Sequence, residues 1–190
     1  MQLSWLYRQP VIRRSIALWA AMMAVMWVVF GLGVLTHPEA WSGVTPAEME
    51  SGWGFVFYIL SRNLFILALI IVGNLFVRFG SVTPGLLILA VQAVMIGWTA
   101  GTNAFASPFP SVTAANAAFL RIGLWETMAY ALMCAATLTK SLYIADRFPA
   151  TEWVETRSLR DVRFSAAEWA VAVASLLFVL LAALIEAAVL

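Results

Sequence analysis

The amino-acid sequence predicts an all-α protein, a polytopic transmembrane helical bundle of about five helices with short interfacial helices. The 190-residue chain is 63% hydrophobic and 11% charged, with a mean hydropathy of +0.91, whereas soluble proteins are about 45–50% apolar and about 25% charged. Its apolar residues form runs that can cross a hydrocarbon core of about 30 Å. The basic residues stand between these runs, as is typical of membrane proteins.

The first predicted crossing covers residues 15–36 and follows the basic residues Arg8, Arg13 and Arg14. This run is longer than the apolar core of a cleavable signal peptide, about 7–15 residues, and no small-residue cleavage site follows it. Tryptophan and tyrosine ahead of Pro10 predict a short segment at the inner interface. His37 follows the run with no cysteine or second histidine nearby, and a metal site would need three or four ligands, so we expect it to end the helix.

A further helix is predicted to start at Thr45-Pro46-Ala47-Glu48, which combines a capping box with proline at the first helical position. A single helix from there to Arg78 would be about 50 Å long, which is too long for one crossing. We therefore expect an interfacial helix over residues 46–61 and a second crossing over residues 63–78.

The remaining crossings are separated by a tight turn, a loop rich in proline and asparagine, and a charged segment. The third covers residues 84–101, with Thr83 as its cap and Pro84 as its first residue. The fourth covers residues 118–143. Residues 146–164 are expected to form a cytoplasmic amphipathic segment. The fifth crossing, residues 169–190, follows a second capping box at Ser165-Ala166-Ala167-Glu168.

The distribution of basic residues predicts a cytoplasmic N-terminus. In that orientation Arg62 and Arg121 are the only basic residues outside, as the positive-inside rule favours. An odd number of crossings then places the C-terminus on the extracytoplasmic side. We expect a multi-pass protein of the bacterial cytoplasmic (inner) membrane.

Polar residues within or beside the apolar runs are the candidate functional residues. Glu126 lies several residues into the fourth run, where an unpaired carboxylate costs several kcal/mol. Arg62 and Asn63 begin the second crossing on the same side, and Arg121 lies above Glu126, so an ion pair between Arg62 and Glu126 is geometrically feasible. Two interpretations stay open: a proton, ion or substrate site, and a structural pair between helices.

Two further sets of residues are suited to helix contacts. Asn74 and Gln92 are expected to hydrogen-bond across helices, each contributing about 1 kcal/mol. Gly97 and Gly101 form a small-xxx-small motif, which permits close helix approach within or between chains.

A third set of residues is basic and belongs to the charged segment. Arg157, Arg160 and Arg163 stand at three-residue spacing among apolar residues and predict an amphipathic inner helix. This helix would meet anionic lipid headgroups or a cytoplasmic partner.

Several classes of function lack a sequence signal. There is no phosphate-binding loop, no HExxH or GxSxG motif and no cysteine pair at metal spacing. The single cysteine, Cys134, lies in an apolar run and is expected to be a core residue. A net charge of +1 gives no basic surface for nucleic acid. We therefore expect no enzymatic activity, no cofactor and no metal.

Residues 61–97, SRNLFILALIIVGNLFVRFGSVTPGLLILAVQAVMIG, resemble the central region of the stage II sporulation protein M family of integral membrane proteins. Arg62-Asn63 matches the polar opening of a helix in that family, and residues 80–83 match its Gly/Thr turn. Residues 122–126 keep the glycine and glutamate of a family motif but lack its Pro-His. The resemblance implies a helical bundle, including dimeric arrangements, that acts as a membrane scaffold or as part of a larger assembly.

Two functions follow from these observations as hypotheses. The first is a noncatalytic membrane subunit or scaffold whose partners are membrane lipids and other membrane proteins, or a second copy of the chain. The alternative is a small dimeric channel, transporter or transport-system permease subunit that uses the intramembrane polar residues. Five crossings are few for a self-contained transporter built from inverted repeats, which favours a subunit or an oligomer.

Overall fold

The computed structural model describes residues 3–45 and 52–189, which form a bundle of long helices with a small sheet at one end. The predicted all-α bundle is therefore confirmed. In chain order the α-helices are α1 (Ser4–Tyr7), α2 (Val11–Thr36), α3 (Trp53–Phe76), α4 (Pro84–Gly101), α5 (Val112–Ala118), α6 (Leu124–Thr137) and α7 (Ala166–Val189). The strands are β1 (Val77–Phe79), β2 (Tyr143–Ala145) and β3 (Val154–Glu155).

Four of these helices, α2, α3, α4 and α7, are long and apolar enough to cross a membrane. Their mean hydropathies over an 18-residue window lie between 1.6 and 2.5. No more than a third of each window is buried inside the protein. The helices therefore present most of their apolar surface outward, as helices surrounded by lipid do.

Helices α2 and α3 begin at other residues than the sequence predicted. Helix α2 starts at Val11 because Pro10, in an extended conformation, precedes it, so Arg14 lies inside the helix. Helix α3 is continuous across residues 53–76, and the predicted division between an interfacial helix over 46–61 and a crossing from residue 63 is wrong for its described part. No proline or glycine interrupts the chain from Phe55 to Val72. Residues 46–48 of the predicted capping box at Thr45 lie outside the described residues.

The predicted starts of α4 and α7 rest on caps that the structure confirms. The Thr83 hydroxyl accepts a hydrogen bond from the Leu86 N–H at 3.1 Å, and Pro84 is the first residue of α4. Before α7, the Ser165 hydroxyl accepts from the Glu168 N–H at 3.2 Å, while the Glu168 carboxylate accepts from the Ser165 N–H at 2.9 Å. This reciprocal pair is a capping box.

The fourth predicted crossing consists of three joined segments, because a π-helical turn, Phe119–Gly123, links α5 to α6. Helix α6 ends at Thr137, earlier than the predicted residue 143, and the chain then passes into β2. The Ser141 hydroxyl donates to the Asn74 carbonyl at 2.8 Å and directs the chain into β2. Helix α6 is the central helix, since it packs against α2, α3, α4 and α7. Its buried surface is rich in alanine, which permits close helix approach.

The prediction of an amphipathic helix within residues 146–164 is wrong. Strand β3 and a 3-10 turn at Leu159–Asp161 occupy this segment instead. Strand β1 pairs in parallel with β2, and β2 pairs antiparallel with β3. The ring of Phe79 packs against Phe148 and Trp153 at centroid distances of 5.2 and 5.4 Å. Residues 148 and 153 thus pack against β1, which is distant in the sequence, and do not form the predicted helix.

Several of the described basic residues lie at one end of the bundle. Arg14, Lys140 and Glu168 meet there, and the Arg78 guanidinium lies 4.7 Å from the ring centroid of Tyr7. We call this the basic end. The opposite end contains Arg62 and Glu126 at the start of α6. Arg14, Arg78 and Lys140, which flank different predicted crossings, thus lie at the same end.

Candidate functional site

The candidate site at the opposite end is a chain of hydrogen bonds between α3 and α6. The Asn63 amide donates to a Glu126 carboxylate oxygen at 2.6 Å, and the Tyr130 hydroxyl donates to the Asn63 carbonyl oxygen at 2.6 Å. Asn63 and Tyr130 are buried. Tyr130 follows Glu126 by one helical turn and therefore shares its face of α6. The sequence predicted Asn63 and Glu126 as site residues but not Tyr130, which its four-residue spacing from Glu126 could have revealed.

The predicted ion pair between Arg62 and Glu126 is wrong. Arg62 is exposed, and its guanidinium donates to the Tyr58 hydroxyl at 3.2 Å on its own helix. Asn63 takes the place of Arg62 because it projects from the buried face of α3. Arg121 is also exposed, within the π-helical turn. Over residues 3–45 and 52–189, Glu126 has no ion pair with lysine or arginine.

A second acidic residue adjoins this cluster and was missed by the sequence analysis. Glu186, near the end of α7, is half-buried and lies within electrostatic range of Glu126 and Arg62. The position of Glu186 within the fifth apolar run could have identified it as a candidate, just as the position of Glu126 within the fourth run did. The π-helical turn comes directly before α6, and such turns are frequent at functional sites. A carboxyl group, a phenol and an amide are thus hydrogen-bonded between α3 and α6, and a second carboxyl group lies within electrostatic range on α7.

Asn74 is the centre of a second, fully buried network. Its amide donates to the Thr137 hydroxyl at 2.8 Å and to the Cys134 carbonyl at 3.2 Å, and its carbonyl oxygen accepts from Thr83 at 2.5 Å. This side chain therefore joins α3 to α6 and to the cap of α4. The expected interhelical role of Asn74 agrees with these contacts. The same expectation for Gln92 is wrong, because Gln92 is half-exposed and has no side-chain hydrogen bond in the described structure.

Gly97 and Gly101 pack against α2, as the small-xxx-small motif predicted. A Cβ atom at Gly97 would overlap the Met26 carbonyl oxygen, and one at Gly101 would overlap the Phe30 carbonyl oxygen. On α2, Gly33 fits against Gly101, where an added Cβ would lie 2.8 Å from the Gly101 Cα. The motif therefore serves packing within the chain. Its surface is covered by α2 and does not face a second molecule.

A buried charge cluster at the basic end was also missed. Lys140 Nζ lies 2.7 Å from Glu168 Oε2, and Arg14 Nη2 lies 3.5 Å from Glu168 Oε1. The three side chains are buried, and they join α2, α7 and the segment after α6. The sequence analysis treated Glu168 as a cap and Arg14 as a flanking basic residue. The contact between Arg14 and Glu168 depends on how α7 packs against α2, and a local sequence pattern does not predict this packing.

The arginines of the charged segment lie at the surface. Arg160 and Arg163 are exposed, Arg157 is half-exposed, and Arg163 donates to the Arg160 carbonyl at 2.8 Å. Within the parts of the chain that the structure describes, no three histidine, cysteine, aspartate or glutamate side chains group as a metal site would require. Cys134 is fully buried in the core. Comparisons with models of known protein families, with curated proteins and with solved structures find no match for this chain.

Proposed function

We propose that the chain is a noncatalytic integral membrane subunit or scaffold that docks other membrane proteins in a larger assembly. The observation that supports this function is the division of polar and apolar groups between interior and surface. Asn63, Asn74 and Glu126 are engaged in hydrogen bonds inside the bundle. Large apolar side chains cover the outside of α2, α3 and α4. The surface that remains available suits association within the membrane.

This apolar surface is extensive along single helices. Leu35 and Val28 on α2 are 78% and 64% exposed, and Phe65 on α3 is 63% exposed. Lipid tails cover such side chains by default, because lipid is as apolar as leucine. A docking face therefore differs from a lipid-covered face in that its exposed apolar side chains contact another protein. The resemblance to the stage II sporulation protein M family agrees with such an assembly role.

Site-specific photo-crosslinking in native membranes tests this proposal. A photoreactive amino acid is placed at Val28, Phe65 or Val91, which face outward from three different helices. We expect protein adducts from one or two of these positions and lipid adducts from the rest. Leu67, which is 1% exposed, is the matched internal control and should give no adduct with another protein. Lipid adducts alone from all three outward positions would contradict a docking role.

The proposed topology has five crossings, with α5, the π-helical turn and α6 forming the fourth. The N-terminus is cytoplasmic and the C-terminus extracytoplasmic, in a bacterial inner membrane. The gathering of Arg14, Arg78 and Lys140 at the basic end supports this orientation, because basic residues are retained on the cytoplasmic side. Single cysteines at Arg160 and Arg121, in a Cys134→Ala chain, test it. The first should react only from the cytoplasmic side and the second only from outside.

The alternative is a small dimeric channel, transporter or permease subunit. The observation that favours it is the proximity of Glu126 and Glu186 between α3, α6 and α7. Flux of protons and monovalent cations into proteoliposomes tests this function with Glu126→Gln, and with Glu39→Gln as a control in the 3-10 turn after α2. Flux that falls only in Glu126→Gln would support transport. Absence of flux from the wild-type protein would leave the scaffold function favoured.

A further inference from the structure

A cleft of about 500 Å³ opens at the basic end. One wall is the turn between α1 and α2, including Pro10, Val11 and Ile12. The other wall is the start of α7 with Ala167, and Arg14 lines the cleft between them. Trp5, two residues before the cleft-lining Tyr7 on α1, is 48% exposed, and tryptophan favours the membrane interface. The cleft therefore lies at the depth of lipid headgroups in the proposed topology.

Arg14 is buried without a full set of hydrogen-bond partners. It is 3% exposed, and its one ion pair within residues 3–45 and 52–189 joins Nη2 to Glu168 at 3.5 Å, longer than a charged hydrogen bond. Its Nε atom has no hydrogen-bond partner in the described part of the chain. A buried donor left without an acceptor is costly, most of all on a charged group. The Arg14 side chain thus lines the cleft with donor capacity that the described residues leave unused.

The charges around the cleft are unbalanced toward positive. Glu168 already accepts from Lys140 at 2.7 Å and from the Ser165 N–H at 2.9 Å. One carboxylate therefore faces the two buried cations Arg14 and Lys140. Arg78, stacked on Tyr7 at the same end, has a buried Nε that is also without a partner among the described residues. A negative charge entering the cleft would balance this excess.

The start of α2 adds donors of its own. Among the described residues no side chain caps this 26-residue helix, and no acidic residue lies in its first turn. The first N–H groups of a helix have no acceptor within it, and its N-terminus carries a partial positive charge. Helix α7, which borders the same cleft, differs because Ser165 and Glu168 cap it. The free donors of the cleft therefore lie on the α2 side, beside Arg14.

We propose that this cleft binds a phosphate group, carried by a phospholipid headgroup or by free phosphate, through Arg14 and the uncapped start of α2. Phosphate fits because arginine pairs with it through several parallel hydrogen bonds, and because helix N-termini bind it with their free N–H groups. Its charge also offsets the excess of Arg14 and Lys140 over Glu168. The site is distinct from the Glu126 cluster, which lies at the opposite end of the bundle.

The test uses the full chain in detergent and two phosphate sources. Native mass spectrometry measures binding of phosphatidylglycerol against diacylglycerol with the same acyl chains, which lacks the phosphate. Thermal unfolding with added inorganic phosphate, against sodium chloride at equal ionic strength, measures the free ion. Preference for phosphatidylglycerol over diacylglycerol identifies the lipid as the source. A Tm increase with inorganic phosphate alone identifies the free ion. The absence of both effects overturns the proposal.

Three variants distinguish phosphate binding in this cleft from a general attraction of phosphate to basic residues. Arg14→Gln should weaken binding about tenfold or more, as the loss of a charged hydrogen bond implies. Arg13→Gln removes the same charge from the neighbouring exposed position and should leave affinity within about twofold. Ala167→Trp fills the cleft from an exposed position while keeping every charge, so it remains informative if Arg14→Gln fails to fold. Equal losses in Arg13→Gln and Arg14→Gln, or full binding by Ala167→Trp, would overturn the site.

Discussion

Replacing Asn74 by alanine tests the energetics of the bundle most directly, because one side chain joins three elements. The change removes its donation to Thr137 at 2.8 Å and to the Cys134 carbonyl at 3.2 Å. It also removes the acceptor of Thr83, which is fully buried. Interhelical hydrogen bonds in membranes contribute about 0.6–2 kcal/mol each, so the expected loss of stability is about 2–3 kcal/mol.

Gln92→Ala is the matched control for this prediction. Gln92 is also an amide side chain within a long apolar helix, but it is half-exposed and forms no side-chain hydrogen bond in the described structure. Its replacement should change the free energy of unfolding by less than about 0.5 kcal/mol. Unfolding in mixed micelles of dodecyl maltoside and dodecyl sulfate, followed by circular dichroism, measures both variants. Equal destabilisation by the two variants would refute the distinction that we draw between paired and unpaired amides.

A double-mutant cycle isolates one bond of this network. Thr137→Ala removes the partner on α6, and the pair of changes should show a coupling energy of about 1 kcal/mol with Asn74→Ala. The Thr137 hydroxyl also donates to Met133 on its own helix, so the single change is not free of cost. Additive effects would mean that the bond between Asn74 and Thr137 contributes nothing to stability.

The structure supports three further predictions. Gly97→Leu should destabilise the protein by several kcal/mol, because its Cβ would overlap the α2 backbone. Gly31→Ala is the control: no atom lies within 4 Å of an added Cβ, so the change should be neutral or stabilising by about 0.5–1 kcal/mol. Glu168→Gln should destabilise by about 3–5 kcal/mol in the same unfolding assay because it leaves Arg14 and Lys140 buried without a counter-charge; an effect below about 1 kcal/mol would contradict that reading. Burial, opposed by the Arg78 charge, raises the pKa of Tyr7 from 10.0 to about 12, so the folded state holds this proton more tightly. The stability from this group is complete below pH 10 and is lost as the pH rises toward 12, and ultraviolet titration should lose a component ionising near pH 12 in Tyr7→Phe.

The sequence by itself determined the fold class, the positions of most apolar helices and several caps. Apolar runs of sufficient length specify helices in lipid. A helix forms all of its backbone hydrogen bonds within one segment, and lipid offers the backbone no other partners. The starts at Pro84 and Ser165 depend on residues within one turn, so a linear pattern contains them. The role of Gly97 and Gly101 is likewise visible as spacing. Local chemistry decided these features.

Only the tertiary structure decided which polar residues meet. Asn63 contacts Glu126 although Arg62 stands beside it in the sequence, because the rotation of α3 turns Asn63 inward and Arg62 outward. Strand β3, which pairs with β2, and the 3-10 turn at Leu159–Asp161 stand where the spacing of the later arginines predicted a helix. Arg14, Lys140 and Glu168 come from three distant segments. Such contacts depend on helix rotation and register, which the packing of the whole bundle sets.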